Sequence, residues 1–225
     1  MNPVLRGSAA HVFVPSLVTP ELTDEDDHHL RRVLRIRDTD VVTVCDGAGG
    51  WVAARLTAGG LMVESESTIE AGPPPATVIS AIPKGDRPEL IVQKLTEIGA
   101  TAIGFMDCAR SVVRWDAARA SKQIERLRRI AREAAMQSRR VWLPHVLDVV
   151  PFDEAIKSIN CAIADPDGGD LAADTDTVLV GPEGGFTEGE LTSVSRRVVL
   201  SVNVLRVETA ALAAAFLLTL RHDQT

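Results

Sequence analysis

Three consecutive prolines, Pro73, Pro74 and Pro75, preceded by Ala71-Gly72, divide the chain into two stretches with different hydrophobic rhythms. A proline run lacks amide donors and fixes φ, so neither a helix nor a central strand crosses it, and the connection it makes is stiff. Before it, short apolar or alternating runs recur at His11–Val14, Val41–Cys45, Trp51–Leu56 and Leu61–Glu64. Asp46-Gly47-Ala48-Gly49-Gly50 predicts a hairpin turn between the second and third of them. One helix interrupts the strands. Thr23 and Asp26 have the spacing of a helix N-cap, and Leu30, Val33 and Leu34 then supply an apolar face. Short strands around one helix predict a small β-barrel over residues 1–70, with 71–76 as the linker.

Beyond the prolines, strand-like and helix-like segments alternate. Thr77–Ile82, Ala102–Met106, Asn160–Ala164 and Thr177–Val180 read as strands, with a further one near Val198–Leu200. Pro88–Ile98, Asp116–Ser138, a segment from Glu188 and Glu208–Leu220 read as helices. In the longest, Ile124, Leu127, Ala131, Ala134 and Ser138 share one face. This alternation predicts an α/β domain over 77–225, a mostly parallel sheet with helices on both faces. Ligands of such sheets bind beyond the carboxyl ends of the strands.

Composition narrows the class. A 45% hydrophobic and 24% charged chain is ordinary for a globular protein. No run approaches the roughly 18 apolar residues of a membrane span, and Met1–Ala10 lacks the apolar core of a secretory leader. Cys45, Cys108 and Cys161 are far apart, which predicts free buried thiols in a reducing cytoplasm rather than disulfides or zinc. No spacing suits a hydrolytic triad or a metal site. The formal net charge of −7 speaks against a nucleic-acid partner at first sight. The charges are segregated, however: from Asp107 to Arg140 there are ten basic and four acidic residues. Arg31, Arg32, Arg35 and Arg37 form a second basic run after His28-His29. Such stripes are either phosphate-binding or solvated helix faces.

Two strand–helix junctions stand out. In Val178–Thr187 an apolar strand runs into Gly181-Pro182-Glu183-Gly184-Gly185, and Thr187 with Glu190 has capping-box spacing, so a helix follows at once. It is neither a phosphate loop nor a dinucleotide fingerprint. In Leu205–Ala211 a strand leads into a helix whose Ala210–Ala215 stretch is small enough for very close packing. By themselves, these segments read at least as well as a tight turn and a core helix as they do as a site.

Together, G-P-E-G-G-F-T at 181–187 and L-R-V-E-T-A at 205–210 resemble the SPOUT class of methyltransferases, and more narrowly the bacterial ribosomal RNA small subunit methyltransferase E family. His28-His29-Leu30 with Val33-Leu34-Arg35 is similar to that family's N-terminal signature, and Pro83-Lys84-Gly85-Asp86 with Gln93–Gly99 to its central one. Arg110–Val113 and Arg132–Ser138 also match. The resemblance covers nearly the whole chain.

The resemblance implies S-adenosylmethionine-dependent methylation of N3 of a uridine in 16S ribosomal RNA. It also implies a C-terminal trefoil knot, a homodimer, and an N-terminal PUA-like barrel that helps to hold RNA. Three loops would form the cofactor pocket. The first contains Ala164 and Asp165 with Pro166; the second is Gly181–Gly185, including Glu183 and Gly184; the third is Leu200–Ala210, including Val207 and Thr209. Leu179, Leu200 and Leu205 would flank the adenine. One departure is Ser201, where the family has glycine. Glu208 is the candidate base or a helix cap. Arg206 is a candidate for stabilising charge on a uracil oxygen, or pairs with Glu208 or Glu183. His29, Arg32, Arg35, Lys84, Arg110, Arg132 and Arg140 are candidate RNA contacts. Glu97, Glu133 and Gln137 orient these cations or pack a subunit interface. The expected partner is 16S ribosomal RNA or the small ribosomal subunit, with no metal and no membrane. Two alternatives stay open: a ribose 2'-O methyltransferase on another RNA, and a non-catalytic RNA-binding or ribosome-assembly protein.

Overall fold

The computed structural model describes residues 2–158 and 160–220. The chain divides into two compact units, Met1–Pro73 with Arg132–Leu143, and Pro74–Ala131 with Pro144–Thr225.

The first unit contains α1 (Pro3–Gly7), β1 (Ala10–Phe13), α2 (Asp24–His28), β2 (Val41–Cys45), β3 (Gly50–Thr57), β4 (Gly60–Val63) and β5 (Thr68–Ile69). β1 pairs parallel with β2, and β2, β4 and β5 pair antiparallel with β3. The expected hairpin joins β2 to β3: the Asp46 carboxylate accepts from the backbone N–H groups of Ala48 (2.7 Å) and Gly50 (3.0 Å). Gly47 and Gly49 supply the positive φ, at 78° and 95°. Thr23 caps α2 as expected, accepting from Asp26 N at 3.1 Å. The helix then widens into a π turn at His29–Val33. That turn breaks the 3.6-residue rhythm, so only Leu30 is fully buried, while Val33 and Leu34 are 60% and 46% exposed.

Residues 132–143 pack with the first unit, although they lie well beyond the proline run. Ala135 and Val141 share a core with Leu5, Phe13, Cys45 and Trp51. Arg132 pairs with Asp26 at 2.7 Å and donates to the Phe13 carbonyl at 3.1 Å. The buried His11 ring donates through Nε2 to the Arg140 carbonyl at 2.9 Å. Helical periodicity identifies a buried face but not what that face packs against.

The second unit contains β6 (Thr77–Ala81), α3 (Arg87–Ile98), β7 (Ala102–Asp107), α4 (Ala117–Gln137, its last residues counted with the first unit), β8 (His145–Val146), β9 (Val150–Pro151), α5 (Phe152–Ala155), β10 (Cys161–Gly169), β11 (Thr177–Val180), α6 (Glu188–Ser193), β12 (Arg197–Val198) and α7 (Val207–Leu220). The strand order is β12-β10-β11-β6-β7-β8, with β9 also on β7, and every pairing between them is parallel. Their apolar runs follow from burial on both faces. Val178 and Val180 of β11 join one core layer with Ile91, Leu95, Phe105 and Leu127, and Leu179 joins the other with Met106, Phe152 and Ile163. α3 stops at Gly99, whose φ of 115° lets its N–H reach the Leu95 and Thr96 carbonyls. α7 buries Val207, Ala210, Ala211, Ala214, Ala215 and Leu218, a stripe of mostly small side chains that packs on α3 and β6.

β10 carries a large irregularity: Ala164 and Gly169 both pair with Val198, so 165–168 leave the ladder. A Cβ on Gly168 would stand 2.6–2.8 Å from the backbone of Val198 and Val199, so only glycine fits there. The bulge ends regular pairing beyond Ala164 and re-aims the residues that follow. The three cysteines are free and buried. Among the described residues no helix is long and apolar enough to cross a membrane.

Candidate functional site

A cleft of about 290 Å³ opens in the second unit at the carboxyl ends of β10 and β11, beside the segment after β12. Three stretches line it: 164–166 from the β10 bulge, 180–186 after β11, and the segment from Leu200 into the first turn of α7. Gly181 faces the Phe186 ring, where an added Cβ would lie 2.9 Å away, so the loop folds tightly over that ring. Gly185 has φ 69° and donates to the Pro182 carbonyl at 2.8 Å. The expected capping box is formed, with Thr187 Oγ1 accepting from Glu190 N and the Glu190 carboxylate accepting from Thr187 N at 2.7 Å.

The loop after β7 braces this turn. Glu190 also accepts from Ala109 N at 2.8 Å, and Arg110 Nη1 donates to the Gly184 and Phe186 carbonyls, each at 3.0 Å. Burial by itself would raise the Glu190 carboxyl. The N–H groups of Thr187 and Ala109, the Thr187 hydroxyl and the nearby Arg110 outweigh it and hold the group below the ordinary carboxylate range. In the first stretch, Asp165 is 8% exposed and held by Arg197 at 3.2 Å. In the third, Ser201 Oγ accepts from Asn203 N at 3.1 Å, which tightens the segment locally.

Glu208 sits in the first turn of α7 between Val207 and Ala210, which face the cleft, but its own side chain turns toward α3. Arg87, the first residue of α3, approaches Glu208 Oε1 at 3.4 Å and Glu183 Oε1 at 3.8 Å. The Glu208 side chain is 14% exposed. Its Oε2 is buried and has no hydrogen-bond partner among the described residues. A buried acceptor left unpaired costs about 1–3 kcal/mol, so this oxygen keeps its capacity for a donor brought by a ligand. Arg206 is exposed, and the ion pairs considered for it are made by Arg87 instead. Arg87 is absent from the sequence-based candidates, although it directly follows Pro83–Asp86.

Of the expected cleft residues, Ala164, Asp165, Gly181, Glu183, Gly185, Leu200, Leu205, Val207 and Ala210 converge on it. Leu179, Gly184 and Thr209 do not. Strand alternation sends Leu179 into the opposite core layer, where it is fully buried; its truncation removes core packing worth about 2–5 kcal/mol. Gly184 faces Arg110, with its Cβ position 3.5 Å from that residue's Cβ, and Thr209 is exposed on the outer side of α7. The sequence reading missed Val180, Phe186 and Leu191. The period-2 pattern of β11 carried the signal for Val180, which lies opposite Leu179.

The expected RNA contacts also divide. Lys84, in the turn after β6, is exposed, as are His29, Arg32 and Arg35 in the first unit. Arg110, Arg132 and Arg140 are already engaged within the protein. Arg110 braces the glycine turn, and Arg132 pairs with Asp26 and stacks 5.9 Å from the Phe13 ring centroid. Arg140 is partly buried, and burial pushes its guanidinium down to about 10.

Comparison with known proteins gives concordant matches. The model of an RNA methyltransferase domain matches residues 71–219, and that of an RNA methyltransferase PUA domain matches 22–60. Ribosomal RNA small subunit methyltransferase E of Bacillus subtilis is 32% identical over 87% of this chain and 88% of its own length. The Mycobacterium tuberculosis protein of the same name is also 32% identical, over 88% of this chain and 86% of its own length. Among solved structures, a ribosomal RNA small subunit methyltransferase E from Neisseria gonorrhoeae bound to S-adenosyl methionine aligns with TM-score 0.78. It is 31% identical and covers 92% of this chain and 94% of its own.

Proposed function

We propose, for a chain that belongs to the ribosomal RNA small subunit methyltransferase E family, that it uses S-adenosylmethionine to methylate N3 of a uridine in 16S ribosomal RNA. The observation that carries this reading is the cleft itself, three loops converging at the carboxyl ends of adjacent parallel strands. Its volume of about 290 Å³ lies at the low end of small-ligand pockets. Its makeup fits the cofactor: Val180, Leu200 and Leu205 offer apolar walls, and the Gly181–Gly185 backbone offers donors and acceptors close at hand. When bound, the cofactor supplies an electrophilic sulfonium methyl.

The chain's residues then have orientation and a proton to handle. Neutral uridine carries a proton on N3, which leaves as the N–C bond forms. Glu208 is the candidate acceptor, because its Oε2 is buried and unpartnered in the α7 turn whose Val207 and Ala210 line the cleft. Arg87 holds the other oxygen and so fixes the carboxylate. Arg206, exposed two residues earlier, is available to a uracil oxygen as charge develops there. The trefoil knot, a homodimer, the small ribosomal subunit as partner and a cytoplasmic location belong to the same reading.

Calorimetry with S-adenosylmethionine on the purified protein tests the first half, and absence of binding at millimolar cofactor sinks it. Mapping methylated uridines in 16S ribosomal RNA from a deletion strain tests the second half. N3-methyluridine should disappear and return with the wild-type gene. Loss of a ribose methyl with N3-methyluridine intact transfers the assignment to a 2'-O enzyme.

A further inference from the structure

Next to the cleft, the same sheet carries a second, larger depression of about 850 Å³. Its floor and rims come from the turn after β6 (Pro83–Asp86), the loop after β7 (Val112–Trp115) and the N-terminal half of α4 (Arg119, Gln123, Arg126). β6 neighbours β11, so groove and cleft adjoin along one carboxyl edge of the sheet. Arg87, beside the groove residue Asp86, ties that edge to Glu208 and Glu183.

The charges in the groove are not all compensated. Arg126 is paired with Glu89 at 3.0 Å. Arg114 donates to the Cys108 carbonyl at 2.9 Å, which fixes it without neutralising it. The side chains of Lys84 and Arg119 are exposed and have no ion pair or hydrogen bond among the described residues. Besides Glu89, the lining holds a single acid, Asp86. Trp115 lines the same groove, partly buried and packed on the core with its ring 6.0 Å from Phe105. Gly85, with φ 72° and no atom within 4 Å of its Cβ position, leaves the turn open on one side.

Exposed cations and an anchored aromatic ring in one groove match a polyanion that presents unstacked bases. A duplex offers its phosphates but not its base faces. In a paired uridine, moreover, N3 is engaged as a Watson–Crick donor, so a methyl acceptor at N3 must be unpaired. We infer that this groove is the track for a single-stranded segment of the RNA substrate, with phosphates on Lys84 and Arg119 and a base on Trp115. The inference rests on the methyltransferase reading above and names the form of RNA that reading requires.

The test is fluorescence anisotropy with a labelled single-stranded oligouridylate of about ten nucleotides, within the footprint of such grooves, and with an RNA duplex of equal length. Affinity is followed between about 50 and 200 mM salt. Lys84→Ala with Arg119→Ala should weaken single-strand binding about tenfold and reduce the salt slope by about 1.4, at about 0.7 for each phosphate no longer neutralised. Trp115→Leu should weaken binding about fivefold or more with little change in slope. Cofactor affinity should stay at the wild-type value in both. If Trp115→Leu fails a thermal-melting check, Trp115→Phe, which keeps the packing, replaces it. Unchanged affinity and slope in the double variant, or a wild-type preference for the duplex, overturns the groove. Single-strand binding through these residues, with N3-methyluridine in 16S ribosomal RNA unchanged in the deletion strain, supports the groove and overturns the enzyme reading.

Discussion

The cleft and the groove share one edge of one parallel sheet, yet they are built of opposite materials. Glycine backbone and apolar side chains line the cleft, and its charged members, Asp165 and Glu183, are each met by an arginine. The groove is lined by long side chains, several of whose cations have no counter-charge. A closely fitted backbone pocket suits one small molecule of fixed shape, and an open charged channel suits a polymer read mainly through its phosphates. Cofactor affinity should therefore be insensitive to salt and sensitive to loop geometry, and RNA affinity the reverse.

The sharpest way to break that division is at Glu208, which stands between the two. Glu208→Gln keeps the size of the side chain but removes its basicity. Turnover should fall about 10²- to 10⁴-fold, the usual scale of a general base, with cofactor binding retained. Near-wild-type turnover sinks the assignment. Next is Arg87→Gln, expected to lower kcat about tenfold with partial rescue by Arg87→Lys. Its cost in stability should be within about 1 kcal/mol, since the pair is partly exposed. A matching fall in the melting temperature and in kcat, with no rescue, assigns Arg87 a purely structural role.

Glu190→Gln tests the brace outside the cleft. Losing the hydrogen bonds to a charged acceptor should cost about 1.5–3 kcal/mol. The folded carboxyl is depressed, so its contribution is complete above the unfolded value near 4.3 and is lost as pH falls through the lower folded value. The gap in melting temperature between wild type and variant should therefore be constant near neutrality and close below about pH 4. A gap independent of pH rules out the charged brace. The smallest effect is expected from Ser201→Gly. It loses only the Oγ–Asn203 N hydrogen bond, so cofactor affinity should shift less than about threefold, on the scale of one exposed hydrogen bond.

Local chemistry made much of this legible. The Thr23 and Thr187 caps, the Asp46–Gly50 hairpin and the alternating strands and helices are each encoded within a few residues, and, apart from the longer end of β10, the structure has them within one or two positions. What failed depends on distant partners. The β10 bulge exists because Gly168 lies against the Val198 backbone, about thirty residues on. The basic stripe from Arg110 to Arg140 looks uniform in sequence, yet its members meet a carbonyl pair, a carboxylate or open solvent according to the tertiary fold. The site was half-legible for the same reason: the loops were recognisable, but the faces of Leu179, Gly184 and Thr209, and the reach of Arg87, were not.

The return of residues 132–143 to the first unit has a consequence for how the chain is made. The core of Phe13, Trp51, Ala135 and Val141 joins segments separated in sequence by β6, α3, β7 and most of α4. During synthesis, the N-terminal unit cannot complete that core when the prolines emerge. It must wait, with its strands formed and part of its apolar surface uncovered, until residue 143 has left the ribosome. A fragment cut at the proline run lacks both the Arg132 partner of Asp26 and the Ala135–Val141 side of the core. A cut at the linker that looks like the natural place to divide the protein therefore separates the first unit from part of its own core.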